Sequence, residues 1–83
     1  MKSTYITKGT CARSIEIELE DGIIRSVRFN GGCDGNLQGV SRLVEGMPAE
    51  DAVQRLKGIR CGRKSTSCPD QLAQALEQAI GAE

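Results

Sequence analysis

Ile15, Ile17 and Leu19 alternate with Glu16, Glu18 and Glu20, and Asp21-Gly22 follows immediately. Period-two alternation puts every apolar side chain on one face of an extended strand and every carboxylate on the other. A helix would scatter the same residues around its circumference. The stretch therefore reads as a half-buried strand, Asp21-Gly22 as a turn, and residues 23–30 as the returning strand of an antiparallel hairpin. Two loop lengths compete at the turn. A two-residue loop would pair Ile15 with Arg28 and Glu16 with Val27, mixing the faces. A three-residue loop, Glu20-Asp21-Gly22, sets Ile15 opposite Val27, Leu19 opposite Ile23 and Arg13 opposite Phe29, and places Gly22 where a left-handed residue is wanted. The three-residue loop is the expectation. Tyr5-Ile6-Thr7 adds a short third strand.

Beyond Asn30 the period changes. A glycine-rich stretch, Gly31-Gly32-Cys33-Asp34-Gly35, leads into Leu37, Val40, Leu43 and Val44, which share a helix face, and Gly46 caps that helix. Pro48 opens a second helix with Glu50 and Asp51 in its first turn. Its apolar stripe is Ala49, Ala52, Val53 and Leu56, and Gly58 ends it. Residues 60–67 form a polar, basic loop. Pro69 then opens a third helix with Leu72, Ala75, Leu76, Ala79 and Ile80 facing inward and Gly81 closing it. Strands first and helices after argue for an α+β fold: an antiparallel two- to three-stranded meander followed by three helices packed on one sheet face, over Ile15, Ile17 and Leu19. The expected interior comprises Ile17, Val27, Val40, Leu43, Val53, Leu72 and Leu76. A chain of 83 residues without repeat or linker reads as one domain, 1–83.

Tyr5 and Phe29 are the only aromatic residues, so the core must be built from Ile, Val, Leu and Ala. A core of this size supplies only about 3–5 kcal/mol and calls for a staple. Eleven basic and eleven acidic residues give zero net charge, which offers no reason to expect nucleic acid or an anionic membrane as partner. No apolar run approaches the roughly 20 residues that span a bilayer. The first residues lack the apolar stretch of a signal peptide. The expected location is the cytoplasm, where thiols stay reduced. Four cysteines there point to metal binding or redox chemistry sooner than to structural disulfides.

Cys11 precedes the first long strand and Cys33 follows the second, so the hairpin should bring the two to one edge of the sheet. Cys68 lies at or next to the N-cap of the last helix, a place that suits an anionic ligand atom. Cys61 is in the same basic loop. The candidate metal ligands are thus Cys11, Cys33, Cys61 and Cys68. Their spacing, C-x21-C-x27-C-x6-C, contains no C-x2-C knuckle, so the pairing of loops carries the argument. No catalytic residue is assigned. The chain has no histidine, which excludes a Cys–His or Ser–His hydrolase.

Thr66-Ser67-Cys68-Pro69-Asp70, with Gly32-Cys33-Asp34-Gly35-Asn36-Leu37, Leu43-Val44-Glu45-Gly46-Met47 and Leu56-Lys57-Gly58-Ile59-Arg60-Cys61-Gly62, resembles the TSCPD domain family over nearly the whole chain. Members of that family occur as stand-alone bacterial proteins and as the C-terminal domain of adenosylcobalamin-dependent ribonucleotide reductases. The resemblance implies metal-binding cysteines and a protein partner such as a reductase. Stand-alone members often carry the label ribonucleoside-diphosphate reductase, which a chain too short for a cofactor-holding barrel does not justify, so catalysis by this chain on its own is not expected. The order of strand-edge Cys, hairpin, Gly-Cys loop, helices and Cys before a final helix is also similar to NifU-type iron–sulfur scaffolds, implying a NifU/IscU-like arrangement. On that likeness Cys11, Cys33 and Cys68 match the scaffold cysteines. Arg13 stands where the scaffold has Asp, and Ser67 where it has His. Cys61, gained here, implies a fourth thiolate and a closed site, which suits structural zinc or a retained cluster better than cluster delivery. The alternatives are an iron–sulfur cluster carrier, and a thiol-redox partner in which Cys61 and Cys68 re-reduce a reductase disulfide.

Overall fold

The computed structural model describes residues 1–32 and 34–82, and among these it has three antiparallel strands followed by three helices. The elements are β1 (Lys2–Ile6), β2 (Ala12–Glu20), β3 (Ile23–Gly31), α1 (Asp34–Val44), α2 (Ala49–Leu56) and α3 (Cys68–Ala82). The sheet order is β1-β2-β3. The α+β arrangement expected from the sequence is the one observed.

The hairpin register departs from expectation. Glu20 faces Ile23 and Leu19 faces Ile24, so the loop is the two-residue Asp21-Gly22 turn. Both turn residues have positive φ, 52° and 77°, the backbone that Asp-Gly supplies in tight hairpins. The mixing of faces that such a loop seemed to impose is repaired by a β-bulge. Arg25 is the extra residue on β3, so that Glu18 pairs Ser26, Ile17 pairs Val27 and Ile15 pairs Phe29. A second irregularity leaves Arg13 as the extra residue on β2, between the pairs Ser14–Asn30 and Ala12–Gly31, so Arg13 does not face Phe29.

Ile15, Ile17, Leu19, Ile24 and Val27 line the inner sheet face and pack against Val44 of α1, Ala49 and Ala52 of α2, and Leu72, Ala75, Leu76 and Ala79 of α3. The small alanines of α2 and α3 let the helices approach closely, which compensates for the shortage of rings. The outer face carries Lys2 opposite Glu18, Thr4 opposite Glu16, and Glu16 opposite Arg28, a solvated row of mixed charge. Residues 46–48, between α1 and α2, run along the start of β3: the Gly46 N–H donates to the Ile24 carbonyl (2.7 Å) and the Ile24 N–H to the Met47 carbonyl (2.9 Å).

Helix α1 buries a different stripe from the one expected. Leu37, Ser41 and Val44 are its buried residues, Val40 is half-buried, and Leu43 is 78% exposed. Ser41 tolerates burial because its hydroxyl donates to the Leu37 carbonyl one turn back, at 2.9 Å. Val53 is also only half-buried, while Ile17, Val27, Leu72 and Leu76 are interior as expected. Pro48 occupies the N-cap of α2 instead of its first turn, and α3 runs past Gly81 to Ala82.

Candidate functional site

The N-terminus of α3 organises the end of the molecule where the cysteines lie. Ser67 is its N-cap: its hydroxyl accepts from the Asp70 N–H (3.1 Å) and its carbonyl from the Gln71 N–H (2.8 Å). Cys68 is thereby the first helical residue, buried to 7% exposure. The same Ser67 hydroxyl donates to the Ile59 carbonyl at 2.7 Å, tying the loop after α2 to the cap.

Asp70 is the centre of a buried polar network. Its carboxylate accepts from the Thr66 hydroxyl, from the Gly58 N–H at 2.7 Å and from the Gln74 amide at 3.0 Å. The Thr66 hydroxyl is the main cause, with the Gly58 N–H next, of a carboxyl held below its ordinary value of 3.8, although burial opposes the shift. Gln71 donates to Thr66 Oγ1 (3.0 Å) and accepts from the Lys8 N–H (3.0 Å), so it pulls the β1–β2 loop onto α3. Gly9 of that loop, at φ +72°, lies so near Thr66 that a Cβ there would come within 3.3 Å of its methyl group. The loop around Cys61 is fixed from the same residue, since the Cys61 N–H donates to the Thr66 carbonyl at 3.1 Å. The Lys64 N–H closes the turn onto the Cys61 carbonyl at 3.0 Å.

The outcome is that Cys11 from the β1–β2 loop, Cys61 from the loop after α2 and Cys68 at the start of α3 line one cavity of about 40 Å³, together with Gly9, Thr10, Lys64 and Ser67. Cys11 Sγ and Cys68 Sγ are 3.7 Å apart. Cys11 and Cys61 are exposed at the mouth and Cys68 is at the bottom. Beneath Cys68, Ala12 and Leu37 form a small apolar floor, and half-buried Phe29 packs against both this floor and the main core. Gly32 closes against that floor. It has φ +84°, and a Cβ on it would lie 2.8 Å from Leu37 Cδ1 and 3.0 Å from the Ala12 nitrogen, so only glycine fits. Cys33, next in the chain, lies outside the described residues. Among the described residues no three Cys, His, Asp or Glu side chains converge closely enough to hold an ion by themselves. No helix among them is long and apolar enough to cross a membrane.

The family model of the TSCPD domain matches residues 1–80 of the 83-residue chain. The chain belongs to the TSCPD domain family. No curated protein and no solved structure matches it. In this TSCPD domain the motif residues divide their work: Cys68 faces the cavity, while Thr66, Ser67 and Asp70 hold the loops that bring Cys11 and Cys61 to it. Sequence reasoning missed that second role, and with it Gln71 and Gln74. A signal was available: Ser67 and Asp70 stand three apart at a helix start, the spacing of an N-cap and an acidic residue in the first turn.

Proposed function

We propose that this TSCPD domain is a metal-binding accessory module: Cys11, Cys61 and Cys68, with Cys33, present thiolates to one zinc ion, and the domain docks on a partner protein. A ribonucleotide reductase is the partner that the family resemblance suggests. The observation that carries the reading is the 3.7 Å between Cys11 Sγ and Cys68 Sγ. Two sulfurs each about 2.3 Å from one tetrahedral ion lie about 3.8 Å apart. The donor set agrees, because a chain without histidine offers a soft ion only sulfur at this end. A cavity near 40 Å³ has room for a single ion and none for a substrate, which favours a closed site over catalysis. Zinc bound by thiolates alone supplies folding energy and keeps no open position for chemistry. The chain's own contribution is the Thr66–Asp70–Gln71 network, which holds the cysteine loops before any ion arrives.

The exposure of Cys11 and Cys61 favours a second reading, an iron–sulfur cluster carrier, since cargo must pass through an open mouth. Anaerobic purification followed by metal and acid-labile sulfide analysis separates the two. One zinc per chain without sulfide is expected, and Cys11→Ser and Cys68→Ser should each lower it. Cys61→Ser reads whether the site is three- or four-coordinate. Iron with sulfide would replace the first reading by the second. A chain that is folded and metal-free, with thiols that alkylate independently, overturns both and leaves Cys11 and Cys68 as two thiols in van der Waals contact.

A further inference from the structure

The chain is neutral in sum but not in its distribution. Residues 7–13 and 58–68 carry five of the eleven basic side chains, Lys8, Arg13, Arg60, Arg63 and Lys64, and none of the eleven acidic ones. These two segments supply every residue lining the cysteine cavity, with Lys64 itself in the wall. All five cations are exposed. Among the described residues the ion pairs are Arg25–Glu20 and Lys57–Glu77, so none of the five has an acidic partner. Elsewhere on the surface charges of both signs are interspersed, as on the outer sheet face. A one-signed rim repels itself and contributes nothing to folding, whereas it steers and holds a ligand of opposite sign.

We propose that this basic rim is the docking surface for an acidic segment of a partner protein. The inference deepens the reading of the domain as a docking module and does not depend on zinc. Ile59, 42% exposed beside Arg60, supplies an apolar contact within the charged rim. Nucleic acid fits less well. Single strands are gripped by exposed aromatic platforms, but Phe29 is committed to the floor beneath Cys68 and the Tyr5 hydroxyl donates to Gln74 at 3.2 Å. A second copy of the chain fits less well too, because its Glu16, Glu18, Glu20 and Glu77 share their surfaces with Lys2, Arg25, Arg28 and Lys57. Nor does the rim serve only to balance the ion. Four thiolates around a divalent metal carry a net charge of about −2, which five cations exceed.

The test uses the whole chain and a fluorescein-labelled decapeptide of alternating Asp and Glu around a central Leu, read by anisotropy. Binding is expected at low salt and should weaken as salt shortens the Debye length. Replacing Arg60→Glu, Arg63→Glu and Lys64→Glu together should lower affinity by about tenfold or more. Arg25→Glu with Arg28→Glu should leave it within about twofold. The corresponding Gln triple stands in if the Glu triple does not fold. Three results overturn the proposal: affinity indifferent to the rim; a single-stranded oligonucleotide of equal charge binding more tightly than the peptide; or self-association that the rim substitutions abolish. If the wild-type chain holds no metal yet binds the peptide through the rim, the zinc reading fails and this one stands.

Discussion

At the scale of single residues, the most consequential side chain is Asp70, which touches neither the cavity nor solvent. Three donors converge on its carboxylate and hold its proton affinity below the ordinary 3.8. The unfolded chain therefore takes up this proton first as pH falls. Its stabilisation is complete above about pH 4 and is lost as pH drops from there through the lowered native value. Thermal melts between about pH 6 and pH 2 should show that acid limb. Asp70→Asn should flatten it, at a cost of roughly 1–3 kcal/mol at neutral pH, because an amide then faces the Gln74 amide donor to donor. A variant as acid-sensitive as the wild type would place the proton elsewhere. That a motif aspartate is structural was hidden in the sequence, since Asp beside cysteines suggests a ligand, and the donors converging on it come from Gly58 and from Gln74, a full turn along α3.

At the scale of elements, periodicity carried most of the fold and failed where a local irregularity intervened. The alternation at Ile15, Ile17 and Leu19 placed β2 and its inner face correctly. The register of β3 was not legible, because a bulge is an extra residue with no composition of its own, and Arg25 resembles any exposed strand residue. The bulge makes a discriminating experiment. A chain lacking Arg25 removes the extra residue and keeps Ile17 opposite Val27 and Ile15 opposite Phe29, so it should fold, with those cross-strand contacts visible by NMR. Its lost pair with Glu20 is solvent-exposed and worth little. A chain lacking Arg28 turns Phe29 outward and away from Cys68, and should lose cooperative melting. In the helices, 3.6-residue spacing set the direction of each apolar stripe but not its width. Ser41 takes the buried place expected of Leu43, since the back-bond to Leu37 cannot be seen in composition. Leu76→Ala, at a fully buried position, should cost roughly 2–5 kcal/mol, whereas Leu43→Ala should change stability by less than about 0.5 kcal/mol. Equal losses in denaturant titration would refute the assignment of these two faces.

For the molecule as a whole, the sequence indicated that a core almost without rings needs a second source of stability, and that four cysteines in polar loops could supply it. The hairpin was enough to expect Cys11 and Cys33 at one sheet edge, whereas the meeting of Cys11 with Cys68 followed from the cysteine count and the scaffold likeness and from no local pattern. The polar network that performs the docking joins residues more than sixty positions apart, and no local pattern announces it. If zinc is the staple, chelation should lower the melting temperature sharply and zinc should restore it, while the Cys68→Ser chain should melt low and ignore both. The two sulfurs in contact are separated by 57 positions, one before the first long strand and one at the opening of the last helix. During synthesis a ribosome releases Cys11 while the residues that bury its partner are still untranslated. The pair comes into being only after α3 has been made and has docked on β2. Possession of the pair thus reports that translation and folding have both reached α3. A fragment stalled before Thr66 lacks Cys68 as well as the Thr66–Gln71 clamp, and so can neither form the pair nor hold the β1–β2 loop where the pair would stand.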